Sequence, residues 1–193
     1  MTSQGRDLPE AFVSVDIETA GPTPATYSIL SIGACLVDDP ETTFYVELKP
    51  ERLAFETEAV EISHLSLDIL QTMGEEPVDA MRRLAGWVAE AVPETHRPVF
   101  VGFNAPFDWM FVADYFARHL GSNPFGHSAL DIKAFAMGRT GSTWAATSMD
   151  RLAPTYLEGR SLSHHALADA QDQAQLFRAL LAEEPPDPSG PIP

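Results

Sequence analysis

The chain has 193 residues, 45% hydrophobic and 21% charged, which is ordinary for a soluble globular protein and enough for one domain with its own core. Its 12 basic and 28 acidic residues give a formal net charge of −16, which argues against a protein that coats long duplexes through a basic stripe. A single cysteine, Cys35, excludes a disulfide framework and suits a reducing, cytoplasmic setting. The sequence has neither a secretory signal nor a long apolar run, so neither secretion nor membrane insertion is expected.

The first quarter of the chain predicts strands. Residues 1–8 are polar and are expected to be flexible. Three strands are predicted, over residues 11–18, 29–37 and 43–48. Gly33 and Ala34, in the second of them, indicate a close approach to a neighbouring segment. The short connections between the three strands favour an antiparallel meander.

After residue 50 the period of the pattern changes and helices dominate. Short helical segments are expected between 56 and 72, followed by an amphipathic helix over 77–91 whose inner side carries Val78, Met81, Leu84, Ala85 and Val88. The remaining elements are a buried strand over 98–103, a helix over 106–120, a strand over 129–131, and helices over 132–138, 147–153 and 164–182. Ser163 is the predicted N-cap of the last helix, with Leu162 and Leu167 as a hydrophobic staple.

This order of elements predicts the fold class. A three-strand meander followed by helix–strand units implies an α/β domain with a mixed five-stranded sheet, parallel in part and flanked by helices. Residues 9–182 are expected to form this single domain, and residues 183–193 a disordered, Pro-rich acidic tail.

The first predicted strand carries two carboxylates on one side. Strand side chains repeat every second residue, so Asp16 and Glu18 point the same way, about 7 Å apart along the backbone. Two carboxylates on one face of a core strand repel each other, and a divalent cation such as Mg²⁺ or Mn²⁺ offsets that cost. A solvent-facing strand edge with two unrelated acids is the alternative.

Further candidate residues lie at two later positions. Asn104 and Asp108 fall where the buried strand turns into a helix, a common place for site residues. His164 and Asp169 fall near the start of the last helix. Three of these residues also have a purely structural interpretation when taken singly. Asp108 could be an acid near the positive end of a helix, Asn104 a turn or capping residue, and His164 a surface residue.

Three segments, in order, resemble the exonuclease motifs of the DEDDh family, the 3′→5′ exonucleases grouped with the DNA polymerase III proofreading subunit, ribonuclease T and oligoribonuclease. They are Asp16-x-Glu18-Thr19, Asn104-x-x-Phe107-Asp108 and His164-x4-Asp169. The resemblance extends from residue 12 to about residue 180, and Ala20 and Gly21 fit the small residues that follow the first motif. It implies a ribonuclease H-like fold, and a histidine at position 164 is typical of the "h" subgroup.

The resemblance implies a two-metal-ion phosphodiester hydrolase. Two divalent cations, Mg²⁺ or Mn²⁺, would lie about 3.5–4 Å apart and be held by Asp16, Glu18, Asp108 and Asp169. One would lower the pKa of a bound water, the other would stabilise the departing 3′ oxygen, and His164 would accept the proton of the water. The expected products are nucleoside 5′-monophosphates, released from single-stranded 3′ ends of RNA or DNA.

Substrate contacts are predicted around these motifs, at Glu18, Thr19, Ala20, Asn104 and Phe107. Phe103 and Phe107 are aromatic, but at these spacings such residues are more often core. Trp144, between polar and flexible neighbours, is a further stacking candidate.

The stretch between residues 132 and 163 carries four basic and two acidic side chains, a local charge of +2 in an acidic chain. Arg139 and Arg151 are therefore predicted to meet the phosphate backbone just upstream of the scissile bond, with a scattered solvated surface as the alternative. Asp172 and His64 are interpreted as a solvated helix acid and a structural residue, and His165 as a surface residue.

Other functions on the same residues stay open. A proofreading exonuclease beside a polymerase would need a binding segment, for which the short Pro-rich tail makes no strong case. A non-catalytic nucleic-acid-binding module should have lost at least one motif position, and all five are present. A calcium-binding protein would need a contiguous acidic loop. The resemblance is compatible with a homodimer, although no stretch of sequence identifies an interface.

Overall fold

The computed structural model describes residues 8–160 and 163–184. Within these ranges five strands span Glu10–Thr19 (β1), Ile29–Leu36 (β2), Thr43–Glu47 (β3), Arg97–Gly102 (β4) and Ala129–Asp131 (β5). Seven α-helices span Thr57–Ser63 (α1), Leu67–Met73 (α2), Pro77–Ala91 (α3), Ala105–His119 (α4), Ile132–Thr140 (α5), Met149–Tyr156 (α6) and Ala166–Ala182 (α7). A 3₁₀ helix covers Trp144–Thr147.

The strands form one mixed sheet in the order β3-β2-β1-β4-β5. β1 pairs antiparallel with β2, and β2 with β3, which confirms the predicted meander. β4 runs parallel to β1, and β5 parallel to β4. Because β1, β4 and β5 are parallel, their carboxyl ends meet at one edge of the sheet, where polar residues following the strands converge.

Helices cover both faces of the sheet. On one face, Met81 and Leu84 of α3 and Phe111 and Phe116 of α4 pack against β1 in one core cluster. On the other face α5, α6 and α7 form a second cluster that includes Phe177. Such a three-layer arrangement agrees with the predicted α/β fold.

The last helix approaches the sheet closely at a glycine. A Cβ atom at Gly33 of β2 would overlap the backbone of Ala166, the first residue of α7. Further along the helix, the carbonyl oxygen of Ala170 accepts a hydrogen bond of 2.8 Å from Ser14 Oγ. The close approach predicted at Gly33 is confirmed, and it places the start of α7 directly over β2.

Two local predictions need correction, and a third falls partly outside the described residues. The last helix begins at Ala166 with His165 as its N-cap, rather than at residue 164 with Ser163 as cap, because Asp169 holds the preceding turn in another conformation. Leu162, half of the predicted staple, lies outside the described residues. In α3 the fully buried residues include Pro77 and Ala80, whereas Val78 and Ala85 are only half-buried.

The end of the described chain contacts the domain. Glu183, assigned to the tail by the sequence, is half-buried and accepts a hydrogen bond of 2.6 Å from the Tyr156 hydroxyl. Residues 185–193 lie outside the described part. None of the helices in the described ranges combines the length and apolar character that a membrane crossing requires.

Candidate active site

Asp16 and Glu18 lie on β1 at the centre of the sheet, on the side that α7 covers. The pairing of β1 with β2 slips between Glu18 and Thr19, so the regular ladder ends at the second carboxylate. Asp16 lies opposite Gly33 of β2, and the missing side chain there leaves room for the start of α7. The two acids therefore face a helix terminus rather than open solvent.

Asp108 reaches the same place from the first turn of α4. Its side chain is only 4% exposed, and Oδ1 accepts a hydrogen bond of 3.2 Å from the backbone N–H of Ile17, the residue between the two β1 acids. Asn104, just before the helix, has a left-handed backbone with φ of 64°, which turns the chain out of β4 and into α4. The acid is thus fixed against β1 by a main-chain contact, not by helix position alone.

Asp169 organises the turn that carries His164. Its Oδ1 accepts hydrogen bonds from Ser163 N at 2.7 Å and from Ser163 Oγ at 2.9 Å, and its Oδ2 accepts one from His164 N at 2.9 Å. His164 has φ of 55°, a left-handed conformation that is uncommon for a non-glycine residue. Asp169 is 2% exposed while His164 is exposed, so a buried carboxylate holds an accessible imidazole at the rim.

The buried acids raise each other's pKa. Burial raises the pKa of Asp16 well above its ordinary value, and three neighbouring carboxylates add to the effect, those of Asp108, Glu18 and Asp169. Burial and the charge of Asp169 raise the pKa of Glu18 to about 7. Burial raises the pKa of Asp108 to about 8, against the opposing hydrogen bond from Ile17 N. These mutual effects show that the acids share one small volume.

The side chains present fit a divalent cation. Glu18, His164 and Asp169 each offer a ligand atom, and the three atoms all lie within 4.8 Å of one another. Crowded carboxylates whose negative charges are mutually unfavourable are the donor set that a hard cation relieves. Asp16 and Asp108 add two more carboxylates to the same cluster through their electrostatic coupling.

Gln173 is a functional residue that the sequence analysis missed. Its side-chain Nε2 donates to Asp16 Oδ1 at 2.5 Å, and its Oε1 accepts from Phe103 N at 3.0 Å. It is 1% exposed and lies one helical turn after Asp169, so both side chains point to the same face of α7. A polar residue inside the otherwise apolar stripe that includes Ala170 and Ala174 is the signal by which it could have been found.

Two of the predicted substrate residues are already engaged within the protein. The Thr19 hydroxyl donates to Gly21 O at 2.9 Å, and Thr19 is 7% exposed. Ala20 is 1% exposed, its N–H donates to Ser28 O, and its carbonyl accepts from Glu56 N. The structure thus places Ala20 in the core beside the site, and its role as a nucleotide contact stays a prediction.

The residues around the β4–α4 turn are more accessible. Asn104 is exposed, and its side chain makes no capping hydrogen bond, so its amide is not used to start α4. Phe107 is half-buried, with its ring centroid 5.5 Å from that of Phe111. Trp144 is 51% exposed at the start of the 3₁₀ helix.

Arg139 has hydrogen-bond partners within the protein, and its phosphate contact stays a prediction. Its guanidinium donates to the carbonyl oxygens of Leu180 at 3.0 Å and Leu181 at 2.9 Å, so it caps the end of α7. Arg151 is exposed on α6. The local charge of +2 had suggested one basic surface. A charge count along the sequence does not show which basic side chains are hydrogen-bonded to backbone carbonyl groups, as Arg139 is.

Asp172 and His165, which were not predicted to be site residues, have defined contacts in the structure. Asp172 accepts a hydrogen bond of 2.6 Å from Arg160, and burial raises its pKa. His165 is exposed, which agrees with its interpretation as a surface residue, and it also caps α7 and stacks on Tyr45 of β3 with ring centroids 4.8 Å apart. His64 is exposed with φ of 57° between α1 and α2.

Comparisons with known proteins agree with this geometry. The family profile described as the 3'-5' exoribonuclease Rv2179c-like domain matches residues 11–181. The chain is 46% identical over 171 residues to the 3'-5' DNA exonuclease Cap18 of Escherichia coli, an alignment that covers 89% of this chain and 91% of that protein. It is also 26% identical over 171 residues to the PolC-type DNA polymerase III of Thermotoga petrophila, covering 86% of this chain and 11% of the polymerase.

Solved structures share the fold. The nuclease domain of 3'hExo, a DEDDh family member bound to rAMP, superposes with a TM-score of 0.70 at 12% identity and covers 91% of this chain and 94% of that one. Exonuclease I of E. coli in complex with a dT13 oligonucleotide gives a TM-score of 0.68 at 17% identity, covering 90% of this chain and 41% of that one. The ribonuclease H-like fold expected from the sequence is confirmed.

Proposed function

The chain belongs to the 3'-5' exoribonuclease Rv2179c-like domain family, within the DEDDh exonucleases, and on this basis we propose that it is a metal-dependent enzyme that removes nucleoside 5'-monophosphates from single-stranded 3' ends. The observation that carries the proposal is the convergence of four carboxylates and one histidine, from β1, α4 and the start of α7, on one small volume. Sequence separations of more than 90 residues make this convergence a property of the fold.

The residues proposed to hold two divalent cations, Mg²⁺ or Mn²⁺, are Asp16, Glu18, Asp108 and Asp169. When bound, the cations would supply positive charge for the phosphate oxygens and lower the pKa of a water molecule. Burial raises the pKa of Asp16, Glu18 and Asp108, and together with Asp169 these carboxylates are an oxygen ligand set suited to a hard cation once deprotonated.

His164 is proposed as the general base. Its ring is exposed, so it is open to water and substrate, and its nitrogen lies within the 4.8 Å cluster with Glu18 and Asp169. An imidazole is suited to accept a proton near neutral pH. The Asp169 carboxylate accepts hydrogen bonds from the backbone N–H groups of Ser163 and His164, which fixes the backbone from which the ring projects.

We propose short single-stranded oligonucleotides or 3' overhangs as substrates. The net charge of −16 opposes tight binding along a long duplex. DNA is the first substrate to test, because the relative at 46% identity is a DNA exonuclease, while the family description names RNA. The exposed Asn104 amide and the Glu18 region are the proposed contacts to the terminal nucleotide, and a reducing cytoplasm is the proposed location.

The test is a cleavage assay with 5'-labelled DNA and RNA oligomers of increasing length, in Mg²⁺ or Mn²⁺. A ladder that shortens from the 3' end is expected for the wild type and not in the presence of a chelator. Asp16→Asn removes a proposed ligand and His164→Ala the proposed base, so each should lower the rate by at least about a hundredfold. Products that retain the 3' nucleotide, or full activity of Asp16→Asn, would overturn the proposal.

A non-catalytic binding module would behave differently in the same assay. It would bind the labelled oligomers and leave them intact with either metal. The retention of all five motif side chains in one cluster favours the enzyme over this second reading.

A further inference from the structure

A cation and two aromatic rings lie together beside the acidic cluster. Lys133 Nζ is 4.3 Å from the centroid of the Trp144 ring and 5.9 Å from that of Phe103. We call these three residues the aromatic platform. Lys133 belongs to the first turn of α5, and Trp144 opens the 3₁₀ helix, which packs back against α5.

Hydrogen bonds connect the aromatic platform to the edge of the sheet that carries the acidic cluster. The backbone N–H of Phe103 donates to Gln173, and the amide of Gln173 donates to Asp16. The backbone N–H of Lys133 donates to Asp131, the N-cap of α5 at the carboxyl end of β5. Both anchors lie at the edge of the sheet where the acids converge, so the platform is a fixed neighbour of the cluster.

Trp144 is the most accessible side chain of the aromatic platform, whereas Lys133 is half-buried and Phe103 packs against the second core cluster. Trp144 is 51% exposed, so Lys133 covers only part of its surface. Among the described residues Lys133 forms no salt bridge, whereas Arg160, on the same face of the sheet, is paired with Asp172. An open indole ring beside an unpaired ammonium is the combination that binds a base and its phosphate in single-stranded nucleic acid.

The direction of the strand follows from the geometry of displacement. In an in-line attack, the water and the departing oxygen lie on opposite sides of the phosphorus. The turn with His164 lies over β2, and the next residue stacks on Tyr45 of β3. The aromatic platform follows β4 and β5, across β1 from that turn. The departing 3' oxygen, and the strand attached to it, therefore point toward the platform.

We propose that the aromatic platform binds the nucleotides immediately 5' of the scissile bond in a single-stranded substrate. The Trp144 ring stacks on a base, and the Lys133 ammonium pairs with a neighbouring phosphate. Stacking of this kind accepts any base, so the platform adds affinity without sequence preference. The assignment rests on the proposed function, because it takes the acidic cluster as the place where the phosphodiester is cleaved.

Two substrates separate the aromatic platform from the catalytic cluster. The p-nitrophenyl ester of thymidine 5'-monophosphate has no upstream nucleotide, whereas a single-stranded DNA of about ten nucleotides has several. Trp144→Ala should lower kcat/KM for the oligonucleotide about tenfold and leave the ester unchanged. Lys133→Gln should weaken oligonucleotide binding. It should also make the slope of log binding constant against log salt concentration shallower by about the amount expected for one phosphate contact. Arg82→Gln, on the opposite face of the sheet, is the matched control and should change neither.

Direct binding gives a second readout. The chain has three tryptophans. In the Asp16→Asn variant, which should not cleave, binding of the oligonucleotide should quench tryptophan fluorescence. Trp144→Phe in the same background should abolish this quenching. Equal kcat/KM of wild type and Trp144→Ala on the oligonucleotide would overturn the assignment, as would a loss of equal size on the ester. Hydrolysis of neither substrate by the wild type would overturn the proposed function instead, and the platform assignment with it.

Discussion

At the scale of single residues, the site depends on a neutral side chain between charged ones. Gln173 connects Asp16 to the backbone of Phe103. Its side-chain N–H group donates to the Asp16 carboxylate. Three neighbouring carboxylates raise the pKa of Asp16, and this hydrogen bond opposes them by lowering it. It is a positioning residue, because it acts on the proposed metal ligand and not on the substrate.

Replacement of Gln173 by leucine should weaken metal binding. The leucine keeps the volume but donates no hydrogen bond, so the Asp16 carboxylate loses its orientation and holds its proton more firmly. Loss of such a supporting contact lowers metal affinity by about ten- to a hundredfold. Calorimetric titration with Mn²⁺ measures it, and Gln175→Leu serves as control, because it also removes side-chain hydrogen bonds of a half-buried glutamine of α7, but to Arg160 and Tyr156 instead of to an acid of the site. Unchanged Mn²⁺ affinity in Gln173→Leu would show that the contact has no functional role.

At the scale of elements, the position of α7 decides whether the cluster forms. The helix reaches β2 only because Gly33 has no side chain, and the turn with His164 and Asp169 immediately precedes and begins this helix. A displacement of the helix start therefore moves a proposed ligand and the proposed base together.

Gly33→Ala should destabilise the protein and lower activity, since the new Cβ overlaps main-chain atoms that cannot move aside separately. Because the start of α7 would have to shift, the loss of unfolding free energy should lie at the upper end of the range for overpacked cores, about 3 kcal/mol or more. Gly86→Ala in α3 is a matched control, because a Cβ there meets nothing within 4 Å and should stabilise by about 0.5–1 kcal/mol. Denaturant unfolding compares the two. A Gly33→Ala protein as stable as wild type would contradict the close packing.

Arg139→Met tests the end of the same helix. The substitution removes two hydrogen bonds to the last carbonyl groups of α7 and should cost about 1–3 kcal/mol of unfolding free energy. Oligonucleotide affinity and its salt dependence should stay unchanged, because the guanidinium is already occupied. The opposite result, weaker binding with an unchanged melting temperature, would restore the phosphate contact predicted from the sequence.

The sequence predicted what depends on residue identity and order. Asp16, Glu18, Asp108, His164 and Asp169 were predicted to lie together because they match the family's motifs in order, and the structure brings them together. The sheet was predicted because its strands are bounded by clear turns. Gln173 and the capping role of Arg139 were not found, because each depends on which carbonyl or carboxylate lies opposite it across two packed elements. The 3₁₀ helix at Trp144 was missed since its neighbours carry no periodic apolar pattern.

At the scale of the whole molecule, the buried acids couple folding to pH. The pKa of Glu18 is raised from 4.5 to about 7 and that of Asp108 from 3.8 to about 8. The folded state therefore binds protons that the unfolded state has released, and the stability that these groups contribute is complete below pH 4 and lost as pH rises through 7 and 8. An excess of acidic residues throughout the chain acts in the same direction.

The melting temperature of the metal-free protein should therefore fall between pH 5 and pH 8, as measured by thermal unfolding in a chelator. Mg²⁺ or Mn²⁺ should reduce this fall, since a cation replaces the protons. Asp108→Asn should flatten the pH dependence and make the metal-free protein more stable than wild type at pH 8, while it abolishes cleavage. A melting temperature that rises toward pH 8 in the chelator would contradict the raised pKa values.

Asp169 differs from the other acids in one further respect. Its two oxygens hold three groups of the turn before α7, including the main chain of His164. Loss of this carboxylate, as in Asp169→Ala, removes a charge and the anchor of the His164 turn in the same step. A substitution of Asp169 that removes the carboxylate therefore alters a proposed metal ligand and the proposed general base together.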